Sequence, residues 1–120
     1  METVEEIREA AESVHDSLGV GFTESVYHRA LMVELSDSGV EHSSETTIPI
    51  TYGGHSVGRR RPDLMVRTED GLAVVELKAG TSSGEKQLLQ YLDLLADDDN
   101  FDVSRGILIQ FNEELAIHHR

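Results

Sequence analysis

Val4, Ile7, Ala11, Val14 and Leu18 recur at spacings of three and four residues, and Thr3 with Glu6 forms a capping-box pair at the start of the run. This spacing predicts a helix over residues 3–18. Gly19 and Gly21 then break the chain, Thr23 stands as an N-cap, and Val26, Tyr27, Ala30, Leu31 and Leu35 trace the apolar stripe of a second helix, about 23–38, stopped by Gly39. From residue 40 to 52 the pattern changes to β-branched and hydroxyl side chains, and Gly53-Gly54 turns the chain into a second extended run. Pro62 marks a sheet edge or a strand start, because it has no N–H for a ladder. Residues 64–67 and 72–79 flank Thr68-Glu69-Asp70-Gly71, a hairpin signal. After a loop at 80–84, Leu88, Leu89, Leu92 and Leu95 predict a third helix over about 85–96, followed by an acidic loop at 97–102. Residues 106–111 form a nearly continuous apolar run, the pattern of a buried strand, and 115–118 reads as a last short one. Two helices, three or four strands, a helix and one or two strands predict a layered α/β domain with helices covering a central sheet.

Length and composition narrow this further. At 120 residues, with 38% apolar residues in short periodic runs, the chain is long enough for one core and is read as a single domain over 1–120. No apolar run approaches the roughly 20 residues of a membrane span. The opening METVEEIREA is acidic and lacks the basic start and apolar stretch of a signal peptide, so a cytoplasmic location is expected. With no cysteine there is no disulfide framework, thiolate zinc site or cysteine nucleophile, and any metal must be held by oxygen or imidazole.

Ten Lys+Arg stand against 23 Asp+Glu, a formal charge of −13, and only Lys78 and Lys86 are lysines. Such a surface resembles that of halophilic proteins, whose dense carboxylates keep them hydrated in concentrated salt and repel one another in dilute buffer. On average this charge opposes a nucleic-acid partner, but an average says nothing about one groove.

The segments richest in chemistry are Arg61-Pro62-Asp63-Leu64 and Val74-Val75-Glu76-Leu77-Lys78-Ala79. If the turn at 68–71 closes the hairpin, position i pairs with 139 − i and Asp63 faces Glu76; with Asp70-Gly71 as the two turn residues, Asp63 faces Lys78. In both registers Asp63, Glu76 and Lys78 share one face, while Leu64, Val66, Val75 and Leu77 share the other. Burying two carboxylates and an ammonium is costly unless they coordinate an ion or pair tightly. Mg²⁺ suits a few carboxylate oxygens plus waters, and with it Lys78 would orient an attacking water or stabilise phosphate charge. A cross-strand salt bridge on a solvated face is the plainer alternative, and spacing alone does not separate the two.

Asp63 followed by Glu76-Leu77-Lys78 resembles the signature of the PD-(D/E)xK nucleases, and Gly21-Phe22-Thr23-Glu24-Ser25-Val26-Tyr27 resembles the motif of their GxxExxY branch. The likeness runs in family order through residues 18–35, 48–66, 74–79, 87–92 and 106–112. It implies a restriction-endonuclease-like core, a mixed sheet flanked by helices, with Mg²⁺ or Mn²⁺ held near Asp63 and Glu76. It further implies Lys78 as the catalytic lysine, the Leu77 carbonyl as a ligand, and Glu24 as a residue completing or orienting the metal shell. A carboxylate in the first turn of a helix is also favoured by the helix dipole, with or without chemistry. Gln87 and Tyr91 lie four apart on one helix face and resemble the Gln-x-x-x-Tyr pair of RecB-like nucleases, which supports the site and contacts nucleic acid; core packing is the plainer reading. Gly84-Glu85-Lys86 stands where many relatives carry a histidine.

Arg59, Arg60, Arg61 and Arg67 form a dense basic cluster beside Asp63 and are candidate phosphate contacts, with charge compensation of neighbouring acids as the alternative for each. In salt of about 1 M the Debye length falls to about 3 Å, so recognition would rest on metal bridging and close contacts. The six histidines form no convincing metal site, and Gly19-Val20-Gly21 lacks a phosphate-loop lysine. The sequence therefore predicts a divalent-metal-dependent nuclease acting on nucleic acid, DNA before RNA. The alternative is a weak or inactive nuclease-like module that binds nucleic acid or a protein. A homodimer or a larger complex stays open.

Overall fold

In the computed structural model, residues 3–80, 84–96 and 101–119 are described. The Thr3 side chain, on which the capping box depends, and residues 81–83 and 97–100 of the two expected loops lie outside that set. Three helices and seven strands form among the described residues: α1 Thr3–Leu18, α2 Glu24–Asp37, β1 His42–Ser43, β2 Ile48–Tyr52, β3 His55–Arg60, β4 Leu64–Thr68, β5 Gly71–Ala79, α3 Glu85–Leu95, β6 Val103–Phe111 and β7 Leu115–His119. No helix among them is long and apolar enough to cross a membrane.

The main sheet runs β1-β4-β5-β6-β7. It is mixed, because β5 and β6 are parallel while the other neighbours are antiparallel. A parallel pair needs a crossover, and α3 supplies it. Helices cover both faces. Ile7, Ala11 and Val14 of α1 and Tyr27, Leu31 and Leu35 of α2 pack with Leu64, Val66, Val75 and Leu77 on one side. Leu88, Tyr91 and Leu95 of α3 pack with Ile48, Met65, Val74 and Leu108 on the other. Buried on both faces, β5 reads as an apolar run rather than an alternation, and each fully buried aliphatic side chain contributes about 1.5–3 kcal/mol. A Cβ at Gly106 would lie 2.9 Å from Leu92 Cδ1 and 3.0 Å from Leu88 Cδ1, so α3 packs straight onto the backbone of β6.

Of the two hairpin registers open to the sequence, the one summing to 139 forms, with Leu64 opposite Val75 and Thr68 opposite Gly71. Side chains of the turn hold it there. The Thr68 hydroxyl lies 2.9 Å from Asp70 Oδ1 and 2.8 Å from the Gly71 carbonyl, and Arg105 pairs with Asp70 at 2.6 Å. Together the Thr68 hydroxyl and the Arg105 guanidinium keep the exposed Asp70 carboxyl below its usual range.

The structure departs from expectation in the run 40–52, which divides between two sheets, making five strands before α3 rather than three or four. β1 is a short edge strand against β4, whereas β2 pairs with β3 in a separate two-stranded hairpin. Gly53 and Gly54 have φ of 58° and 81°, both positive, the geometry of the tight turn that folds β3 straight back on β2. Val26 and Leu89, placed on apolar stripes from their spacing, are exposed.

Candidate functional site

The site lies where the chain enters β4 beside the far end of β5. Asp63 immediately precedes β4, and the register sets it against Glu76. Its amide donates to Glu76 Oε1 at 3.2 Å, and its Oδ2 accepts from the Leu77 amide at 2.7 Å. Glu76 is only 1% exposed. Burial, and after it the Asp63 carboxylate, push the Glu76 carboxyl up to about 8, against the pull of the Asp63 amide and Lys78. A buried carboxylate beside a second one is short of positive charge, and this is an environment a divalent cation relieves. Mg²⁺ commonly uses one or two protein carboxylates and keeps several waters, so Asp63 and Glu76 fit such an ion.

Lys78 follows on the same face of β5 and approaches Glu24 of α2 at 4.0 Å, with Lys78 mostly buried and Glu24 half-exposed. Its stem rests against Gly84. A Cβ there would lie 2.8 Å from Lys78 Cε and 3.0 Å from its Cγ, so this position has no room for a side chain while Lys78 keeps its place.

Glu24 owes its position to Tyr27, the tyrosine of the same heptapeptide. The buried Tyr27 ring stacks on Phe111 at 4.5 Å and 6°, and its hydroxyl donates to the Gly19 carbonyl at 2.6 Å. The turn before α2 is thereby tied to the end of β6. Thr23 sits at the N-cap but its side chain makes no capping bond.

Gln87 and Tyr91 reach the same region from α3. The Tyr91 hydroxyl donates to the Arg61 carbonyl at 3.2 Å, and Gln87 Nε2 donates to that hydroxyl at 3.5 Å. These two side chains therefore hold the backbone that delivers Asp63. Burial raises the Tyr91 pKa, keeping the hydroxyl protonated as a donor.

The arginines divide. Arg61 pairs with Glu45 at 3.4 Å and Arg67 with Glu41 at 3.2 Å, both on the exposed surface. Arg67 is not brought to Asp63, since it lies four residues along β4, roughly 13 Å at strand rise. Arg59 and Arg60 are exposed on β3.

One residue that the sequence reading left unassigned stands in the site. His28 lines a cavity of about 290 Å³ with Glu24, Ser25, Asp63 and Leu77, and a second of about 470 Å³ that also borders Asp63. Its Nε2 is buried without a hydrogen-bond partner among the described residues. The available signal was the four-residue step from Glu24, which puts both on one helix face. Among the described residues, no group of three or more potential ligands assembles with metal-site geometry.

A mixed sheet layered between helices on both faces places the protein among restriction-endonuclease-like α/β folds. The family model described as the PD-(D/E)XK nuclease superfamily matches residues 1–120, and the chain belongs to that superfamily. The crystal structure of SSO0001 is similar, with a TM-score of 0.58 and 21% identity over 79% of this chain and 48% of that one, a likeness of fold. The chain thus spans about half the length of SSO0001. No curated protein matches it.

Proposed function

We propose that this chain is a divalent-metal-dependent nuclease of the GxxExxY, RecB-like kind, hydrolysing phosphodiester bonds in DNA. The observation that carries the reading is the Asp63–Glu76 pair, two carboxylates locked together by backbone amides with one of them buried. A bound Mg²⁺ or Mn²⁺ supplies Lewis acidity toward a phosphate oxygen and makes water a stronger acid. Asp63 and Glu76 hold the ion, with the Leu77 carbonyl and Glu24 completing or orienting its shell. Lys78 orients the attacking water and stabilises charge developing on the phosphate. Gln87 and Tyr91 act as positioning residues through the Arg61 carbonyl, and Arg59, Arg60 and Arg61 contact phosphates beside the site. The charge of −13 reflects adaptation to concentrated salt rather than the choice of ligand.

The deciding experiment incubates the purified chain, folded in high salt, with single- and double-stranded DNA and RNA and either Mg²⁺ or Mn²⁺. Cleavage that disappears in Asp63→Ala is expected; no cleavage, or equal cleavage by the variant, defeats the reading. A second reading, a module that binds without turnover, is favoured by the engagement of Lys78 with Glu24 and by the lack of a three-ligand group among the described residues. Nucleic-acid affinity without cleavage would select it.

A further inference from the structure

Residues 46–62 contain no Asp or Glu, although the chain carries 23 in 120 residues and an even spread would put about three there. The same segment holds three of the ten basic residues, Arg59, Arg60 and Arg61. In the fold this acid-free segment contains the two-stranded hairpin β2–β3, which stands apart from the main sheet. Its base is anchored through Ile48, buried against α3. Beyond it, Tyr52 is 79% exposed and Val57 62%, and the tip is the bare turn Gly53-Gly54. Val57 is the extra residue where the register slips from Ile50–Gly58 to Thr51–Ser56, a bulge that adds twist to the ribbon.

The two unpaired arginines are set on opposite faces. Arg60 is opposite Ile48 and shares its face, which turns toward α3, so that its charge acts on Tyr91. Arg59 is opposite Pro49 and points the other way. Neither has an ion-pair partner among the described residues, unlike Arg61 and Arg67. A ribbon with a cation on each face and no acid suits a polyanion on two sides at once. The major groove of B-DNA is such a setting: about 12 Å wide and walled by two phosphate backbones, it admits a two-stranded ribbon whose strands lie about 4.8 Å apart. The deep, narrow major groove of A-form RNA does not.

We propose that β2–β3 is a DNA-binding arm that enters the major groove of duplex DNA beside the Asp63–Glu76 site, with Arg59 and Arg60 on the two phosphate walls and the exposed Tyr52 near the tip against the bases. This deepens the nuclease reading by naming duplex DNA as its substrate class, and rests on that reading for what happens at the site; binding by the arm stands or falls separately.

The test measures binding of the full chain, in EDTA so that nothing is cut, to a short DNA duplex, its separate strands and an RNA duplex of the same sequence, across a salt series. DNA duplex is expected to bind tightest. The Arg59→Ala/Arg60→Ala chain, with an unchanged thermal midpoint, is expected to lose roughly tenfold in duplex affinity at low salt and to flatten the log affinity against log salt slope by about 1.8, two phosphate contacts' worth. Tyr52→Ala is expected to weaken duplex binding without changing that slope. Absence of DNA binding, tighter binding of single strands or RNA duplex, or an unchanged slope in the double variant would overturn the arm. Arm-dependent duplex binding with no Mn²⁺-dependent cleavage defeats the nuclease reading and leaves the arm; Asp63-dependent cleavage with unchanged KM in the double variant does the reverse.

Discussion

Asp63 and Glu76 hold each other across the β4–β5 hairpin: the Asp63 amide reaches Glu76 Oε1 at 3.2 Å, while Asp63 Oδ2 takes the Leu77 amide at 2.7 Å. Both carboxylates are therefore placed by main-chain groups. The electrostatic cost falls on Glu76, the more buried of the two.

That cost has a pH signature. In the unfolded chain Glu76 loses its proton near the ordinary value of 4.5, whereas in the fold burial and the Asp63 carboxylate raise this to about 8. Between those values the folded state holds a proton that the unfolded state has released, so without divalent ions Glu76 makes stability fall as pH rises through the window and level off above it. Thermal midpoints in EDTA from pH 5 to 8.5 should decline more steeply for the wild type than for Glu76→Gln. Parallel profiles would show that Glu76 ionises normally.

A divalent ion should reverse this loss. At pH 8, Mg²⁺ or Mn²⁺ is expected to raise the thermal midpoint, by about 2.7 kcal/mol of stability at a hundred times Kd, and to release protons on binding. Asp63→Ala and Glu76→Gln should each abolish the shift. Calorimetry in two buffers of different ionisation enthalpy counts the protons.

Gly84 is expected to be sensitive to a single methyl group. Gly84→Ala puts a Cβ 2.8 Å from Lys78 Cε and 3.1 Å from Leu108 Cδ1, so Lys78 must move. The expected outcome is a destabilisation of about 1–3 kcal/mol with reduced kcat and a metal-induced shift that survives, because the carboxylates are untouched. Urea melts and single-turnover cleavage check the two effects.

Tyr27→Phe removes the hydroxyl that bonds Gly19 O at 2.6 Å but keeps the stack on Phe111. A cost of about 1–2 kcal/mol in chemical denaturation is expected, against about 3–5 kcal/mol for Tyr27→Ala, which also loses the ring. If Tyr27 serves only to anchor the turn before Glu24, Tyr27→Phe should leave metal affinity within about twofold, a difference of roughly 0.4 kcal/mol.

The alternation and periodicity of the chain determined the three helices, the face shared by Asp63, Glu76 and Lys78, and the kinship of Gln87 with Tyr91, because each follows from a local repeat of two or 3.6 residues. Two registers satisfied the 63–78 hairpin equally well; in the one that forms, Thr68 bonds Asp70 within the turn, and Arg105 reaches Asp70 only when β6 lies beside β5. The departure of β2–β3 from the main sheet, the fit of Gly84 under Lys78 and the entry of His28 into the site also depend on segments distant in sequence. Local pattern sets which way a side chain points along its own element. What it meets there is decided by how the elements pack, and that packing decides whether a carboxylate is solvated or buried against its neighbour.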